Sequence, residues 1–376
     1  MKRASDLRLL AYCTNVHPGE TLEAMQSSLS RYAAKVQKLY CPNDLLPIGL
    51  WISAKTLGEI DACDLRSWLE SRNLLPCTIN GFPQGNFHDR IVRHDVYEPT
   101  WASDDRLAYT CRLADLLAEL HDGEGSISTL PIGWAATTDP LMQETAGMNL
   151  RHCARHLAQV ESRTGRYVHI DLEPEPGCVL QRSSDIPSWA QRHLLGHGDD
   201  ELVRRYIRIC CDTCHLAVMN EEAADLIDAC NTVGLSIGKV QISSALTLDG
   251  SSQDDLAALA AIDEPRWLHQ VLATEDDGRT SFHDDVSSAM QSPPSGTWNV
   301  HFHVPVVADQ WGSLRTTQSH TVRSIASLMT QPEIHHWEVE TYTWSVLEDD
   351  DHITEGIASE LAWASSIIAD QRSVAP

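Results

Sequence analysis

Cys210-Cys211-Asp212-Thr213-Cys214-His215 follows a mostly apolar run and precedes a helix-like segment, so an Asp and a His stand three residues apart where a strand empties into its loop. The arrangement recurs along the chain. Glu173 and Glu175 lie in Leu172-Glu173-Pro174-Glu175-Pro176-Gly177, His301 and His303 in Val300-His301-Phe302-His303-Val304, and Glu338 and Glu340 in Trp337-Glu338-Val339-Glu340-Thr341. Ligand-type residues at the ends of successive strands predict a divalent metal held in the mouth of a barrel.

Working outward, short β-like runs at 9–13, 48–53, 74–82, 127–134, 167–175, 207–212, 236–243, 299–306 and 337–344 alternate with helical patterns near 20–39, 57–72, 103–121, 143–163, 199–206, 221–233, 252–272, 314–330 and 353–370. Repeated β-then-α units imply parallel strands joined by right-handed crossovers, and about eight such units make an α/β fold of the (β/α)8 TIM-barrel type. One of the strand candidates is then surplus. The 299–306 run is the expected extra, because 244–298 is a long excursion after the seventh strand, rich in turn signals such as Asp276-Asp277-Gly278 and Ser292-Pro293-Pro294. Without an internal repeat or a break in composition, 1–376 reads as one barrel domain in which 244–298 is an insertion covering the mouth.

Composition narrows the function classes. The chain of 376 residues is 42% hydrophobic and 22% charged, ordinary for a globular protein. Its 28 basic against 53 acidic residues give a formal charge of −25, which repels a phosphate backbone, so no nucleic-acid partner is expected. No apolar run is long enough for a membrane helix, and the basic start leads only into a short apolar stretch broken by Arg8. These features predict a cytoplasmic protein whose eleven cysteines are reduced thiols. Cys211-x-x-Cys214-His215 also spells a c-type haem attachment site, but that reading needs an exported chain and an exposed loop, whereas the lead-in is apolar.

Each candidate side chain has a structural alternative. Asp212 can cap the following helix instead of ligating, and His215 can pack. Period two places His169, Asp171 and Glu173 on one strand face, and three polar groups facing a barrel interior are costly unless they bind something. Prolines 174 and 176 end that strand, which makes Glu173 the better ligand and Glu175 a substrate contact or a spectator. Glu340 lies nearer the carboxyl end than Glu338, and the pair His301 and His303 shares a face. His17 closes the first strand and His88 follows the third. Lys239 and Gln241 share a face, with Gln241 at the ligand end and Lys239 deeper, within reach of Asp171 or Glu338.

These segments together resemble the xylose-isomerase-like TIM barrels, which include sugar isomerases, ketose epimerases and apurinic endonucleases. Asp212-Thr213-Cys214-His215 is similar to the Asp-Thr-Cys-His segment of those endonucleases, Glu173 to the mid-barrel bridging Glu, and Glu340-Thr341 to the bridging Glu of the final strand. His301 and His303 resemble an Asp-x-His pair, whereas Gln241 departs from the pattern, standing where these families place a ligating His. A closer resemblance, to the EboE family of metabolite-traffic proteins, rests on the Tyr12–Glu20, 80–88, 172–178, 211–215, 239–246, 301–305 and 338–347 blocks. The resemblance implies a part in making or moving a small metabolite, with other proteins of the same pathway as partners. The resulting expectation is a metal-dependent isomerase or epimerase of a sugar-like metabolite. Its divalent ion (Mn, Mg, Zn or Co) is held by Glu173, Asp212, Glu340 and His215 or His303, with Glu173 or Glu340 as general base. His17, His88, Glu175, Lys239, Gln241 and His301 contact substrate. The alternatives are a non-catalytic carrier and a metal-dependent phosphoesterase of the endonuclease type.

Overall fold

The computed structural model describes residues 8–85, 87–89, 91–344 and 352–374; the basic start, Asn86 and the 345–347 end of the last matched block lie outside the described residues. Eight parallel strands close into a barrel. In chain order they are β1 (Leu9–Cys13), β2 (Leu46–Trp51), β3 (Leu74–Asn80), β4 (Gly125–Thr129), β5 (Val168–Leu172), β6 (Ile207–Asp212) and β7 (Ile237–Ile242), with His336–Val339 completing the ring between β7 and β1. The first and sixth match the sequence reading at both ends. β2 keeps the expected length but begins two residues earlier, and the others are shorter than the apolar runs suggested, because the run continues into ordered loops where pairing has stopped.

Local chemistry explains the helices packed outside the ring. Ser103 caps Asp104–Leu120 through its hydroxyl, and Asp139 caps Pro140–Thr164, where proline occupies the first turn and Gly165 ends the helix at φ 71°. Alternation along each strand then sorts the side chains. Ile48, Ile127, Ile170, Ile209 and Val240 join one large apolar core, while His169, Asp171, Lys239, Gln241 and Glu338 are buried among polar partners.

After β7 the chain leaves the barrel and builds a second sheet of β8 (Leu246–Asp249), β9 (Val271–Thr274), β10 (Thr280–His283), β11 (Thr297–Val300), β12 (Gln310–Trp311) and β13 (Leu314–Thr316), in the order β10-β9-β11-β8-β13-β12. Its strands pair antiparallel, and it has its own core around Leu248, Leu256, Trp298, Phe302 and Leu314. The last ring strand, β14 (His336–Val339), follows it. The surplus strand is therefore β11, as the excursion implied. Two helical readings need correction. The 252–272 pattern is helical only over Gln253–Ile262, because Pro265 follows within three residues and Val271–Thr274 is claimed by the sheet. The 314–330 pattern begins with β13, and the helix occupies Gln318–Leu328.

Candidate metal centre

Glu173 and Glu340 each stand one residue beyond a barrel strand, and Asp212 is the last residue of β6. Carboxylate oxygens of these three residues lie within 4.8 Å of one another, all buried. Asp212 caps a helix through one oxygen and leaves the other without a hydrogen-bond partner. Its Oδ1 caps the Thr213–Val218 helix, accepting from Cys214 N (2.6 Å) and His215 N (3.0 Å) as well as from Ser243 Oγ (2.6 Å). Its Oδ2 has no hydrogen-bond partner and lies 4.0 Å from both His215 Nε2 and His303 Nε2.

The neighbouring imidazoles have their tautomers fixed by backbone and amide groups. His215 Nδ1 is 2.8 Å from Pro174 O and His303 Nδ1 is 2.9 Å from Glu340 O; a carbonyl only accepts, so both Nδ1 atoms carry hydrogen. Gln270 fixes a third ring. Its Nε2 donates to Pro176 O (3.3 Å), which turns Oε1 toward His301 Nδ1 at 2.7 Å. With hydrogen on both Nδ1 atoms, Nε2 of His215 and Nε2 of His301 face each other across 3.2 Å. Such a contact is relieved by a cation, and 3.2 Å is close to the ~3.3 Å between ligands of a tetrahedral ion bound at 2.0–2.1 Å. Overlapping ligand groups, Asp212/His215/His303 and Glu175/His215/His301, adjoin the carboxylate triad.

The electrostatics agree with that geometry. Burial, then Glu340 and Asp212, push the Glu173 carboxyl well above its usual range. Burial, then Asp212, raise Glu340 to about 8. Burial opposes the charge of Asp212 too, but His215, His303 and the hydrogen bonds from Ser243 and the backbone bring it net below the ordinary value. Burial lowers His303 to about 4 and His301 well below 6.5, so both rings are neutral and competent to ligate.

Above the polar floor is a pocket of about 600 Å³, open mouth included. Asn15 holds Glu340 Oε1 at 2.6 Å, and Tyr97 donates to Glu175 Oε1 at 2.8 Å. One wall is aromatic: Phe87, Trp267 and Tyr342 pack together, with Phe82 nearby in the lining. Trp267, His301 and His303 reach the pocket from the excursion after β7, and Arg93, held by Asp285 at 2.7 Å, stands among the lining residues.

Several sequence candidates sit elsewhere. His17 stacks on Tyr32 with centroids 4.2 Å apart, and His88 packs edge-on to Trp51 and Phe87; neither is among the described residues lining the pocket. Burial lowers His17 to about 3 and His88 to about 4. Lys239 and Gln241 lie below the pocket. The Lys239 ammonium is 3.0 Å from Glu338 Oε2, the second of its two readings, and Gln241 Nε2 donates to Asn80 Oδ1 at 2.9 Å. His301 and His303 follow the end of β11 instead of sharing its face, since pairing stops at Val300. Cys211 and Cys214 are buried, against the exposed loop that the haem reading needs.

Sequence reasoning missed Gln270 and Trp267, which fall in a span that reads as helix; Glu264-Pro265 is the signal against it. It missed Tyr97, which carries no motif. It also missed Gly49, where a Cβ would lie 2.2 Å from the Glu338 carboxylate; glycine in a strand marks such close approach.

No protein-family model and no curated protein matches the chain. Solved structures do. A D-psicose 3-epimerase determined in the presence of D-fructose has a TM-score of 0.50 at 11% identity, covering 96% of this chain and 99% of its own. An L-ribulose 3-epimerase scores 0.49 at 10% identity, with coverages of 98% and 96%. The IolI protein with a bound zinc atom scores 0.49 at 10% identity, with coverages of 96% and 99%. At such identities the likeness is one of fold, and the closed ring of eight parallel strands makes the chain a (β/α)8 barrel with a long insertion after its seventh strand.

Proposed function

We propose that the chain is a metal-dependent isomerase or epimerase of a sugar-like or polyhydroxylated metabolite. The observation carrying this reading is the convergence of Glu173, Asp212 and Glu340, three buried carboxylates with oxygens within 4.8 Å of one another. Burying that much like charge is unfavourable without a cation. The ligand set is Glu173, Asp212 and Glu340 with His215 or His303, a carboxylate–imidazole mixture that suits Mn, Mg, Zn or Co. A bound divalent ion would supply Lewis acidity toward a substrate carbonyl or hydroxyl.

The chain's own residues do the rest. Glu340 or Glu173 moves the proton, and a carboxylate whose basicity is raised toward neutrality is suited to that role, typically contributing about 10²–10⁴-fold. Asn15 fixes the Glu340 carboxylate, Tyr97 fixes Glu175, and the Phe87/Trp267/Tyr342 wall offers an apolar face to a carbon skeleton while excluding water. In this reading the second sheet serves as the cover of the mouth, and the chain works on a small metabolite in its biosynthesis or traffic, as the likeness to the EboE family implies. Elemental analysis of protein purified without added metal tests the proposal. Glu173→Gln and Glu340→Gln should each lose mouth-bound metal and turnover together; full metal retention in both sinks the ligand assignment.

A second reading, metal-dependent phosphoester hydrolysis, is favoured by the overlapping ligand groups around Asp212, His215 and His301, which offer more than one cation position. The charge of −25 opposes a nucleic-acid substrate. Metal-dependent nicking of an abasic duplex would support this reading, and binding of metal and metabolite without any turnover would support a carrier.

A further inference from the structure

The opposite end of the barrel carries its own ligand cluster. Glu124 immediately precedes β4, His169 is the second residue of β5, and His336 opens β14. One ligand-type atom from each lies within 4.8 Å of the others. His169 Nε2 is 3.2 Å from Glu124 Oε1, and its Nδ1 is 2.9 Å from Asp171 Oδ1. Asp171 accepts from Ser126 Oγ at 2.5 Å through its other oxygen, so His169 Nδ1 is the donor to this carboxylate. Unless Nε2 also carries a proton, the ring faces Glu124 with a lone pair. Two acceptors 3.2 Å apart repel, and either a second proton on His169 or a cation resolves the contact.

His336 distinguishes the two. It is 1% exposed, and neither of its ring nitrogens has a hydrogen-bond partner. An unsatisfied buried polar group costs about 1–3 kcal/mol. Protonating His169 leaves His336 without any partner; a cation in the cluster engages one nitrogen of each ring. The geometry points to a divalent transition-metal site of the zinc class formed by Glu124, His169 and His336 at the amino-terminal end of the barrel. The 3.2 Å spacing matches the ~3.3 Å ligand separation of tetrahedral zinc. The Asp171 carboxylate behind His169 orients the ring as partners of metal-bound imidazoles commonly do.

Gly238 belongs to the same design. A Cβ there would lie 2.0 Å from Asp171 Oδ1 and 2.7 Å from His169 Cε1. Arg208 Nη1 is 3.2 Å from Glu124 Oε1 and His335 Nδ1 is 2.7 Å from Oε2. The side chains of Glu124 and His335 are 21% and 45% exposed, which gives an ion its way in. In the ring, β14 and β5 are separated by β7 and β6, so an ion held by both would tie the bottom of the barrel across its width. Its role is structural, at the face of such barrels that serves stability.

The test uses the full chain, stripped with a chelator and titrated with Zn²⁺ and then Co²⁺, in a Glu173→Gln/Glu340→Gln background that disables the mouth. One equivalent should remain, raise the melting temperature and, with cobalt, give the strong visible absorption of a tetrahedral site. Adding His336→Gln should abolish the stoichiometry, the melting shift and the spectrum; Glu124→Gln, at a partly exposed position, provides the same reading should His336→Gln fail to fold. Absence of zinc from the mouth-disabled protein, or zinc retained after Glu124→Gln, overturns the site. Equal stoichiometry in wild type and the mouth-disabled protein would instead count against the mouth reading while leaving this one standing.

Discussion

Two layers of buried charge sit one above the other in this barrel, and they are balanced in opposite ways. In the lower layer Glu338 accepts from Thr78, from Asn80 Nδ2 at 2.7 Å and from Lys239 Nζ at 3.0 Å, so one anion meets one cation and several donors. Burial alone would depress the Lys239 ammonium, yet Glu338 and its neighbours hold it above its ordinary value. In the upper layer, Glu173, Asp212 and Glu340 face one another, and two of the three are pushed toward their neutral forms. The lower layer is complete as the chain folds. The upper layer is complete only with a proton or a cation added.

The comparison can be broken most forcefully in the lower layer. Lys239→Met leaves Glu338 buried without its cation and should cost about 3–5 kcal/mol in urea unfolding, with the metal stoichiometry of the mouth unchanged. An unaltered unfolding midpoint would mean that the layer is not held by that pair.

The next largest effect is the pH dependence of metal-free protein. Glu340 has its ordinary value of 4.5 raised to about 8, so the native state keeps a proton that the unfolded chain has released. Stability contributed by that proton is fully present below 4.5 and is lost as pH rises to about 8. At about 1.4 kcal/mol per pH unit the loss amounts to a few kcal/mol, and Glu340→Gln should flatten the profile. Metal affinity should run the other way, increasing with pH as binding displaces the proton. Metal-free stability that is level from pH 5 to 8 would contradict the account.

Ser243→Ala sharpens the comparison within the upper layer. It removes the hydroxyl that donates to Asp212 Oδ1 and accepts from Cys214 N. A stability loss of about 1–2 kcal/mol is expected, with metal affinity about 10–100-fold weaker. Titration calorimetry would read the second effect. The smallest change is Tyr97→Phe, which should cost about 1 kcal/mol and leave the metal in place. It frees the Gln270 amide to turn, so the ¹⁵N shifts of His301, with hydrogen on Nδ1 in wild type, are the sensitive readout.

Much of the upper layer was legible because its carboxylates sit at strand ends, and a strand end is visible as an apolar run meeting prolines or a polar turn. Asp212 and Glu173 are of this kind, and Glu340 repeats it in the final unit. The lower layer was half legible. Period two put Lys239 inside, but Asp171 and Glu338 were both within reach on that argument, and the choice depends on strand register: Glu338 pairs with Gln241 in the neighbouring strand, while Asp171 is engaged with His169 and Ser126. Glu360 shows the limit. It lies in the Ile353–Val374 helix and binds Val306 N at 3.0 Å, Thr341 Oγ1 at 2.6 Å and Trp344 Nε1 at 2.7 Å, tying three distant segments through a carboxylate raised to about 7 by burial. Nothing in its local sequence separates it from a solvent-facing helical Glu.

The alternation of apolar periodicities determined the barrel, because each β-then-α unit can bury its apolar faces only by joining the next in the same sense. It also made Glu173, Asp212 and Glu340 legible as residues at the carboxyl ends of their strands. The tertiary structure alone decided what those residues meet. The tautomers of His215, His301 and His303 depend on Pro174 O, Gln270 and Glu340 O, groups brought to them by other segments of the chain. A hydrogen bond is selected by angle and by a few tenths of an ångström, and no pattern along a single chain encodes distances at that scale.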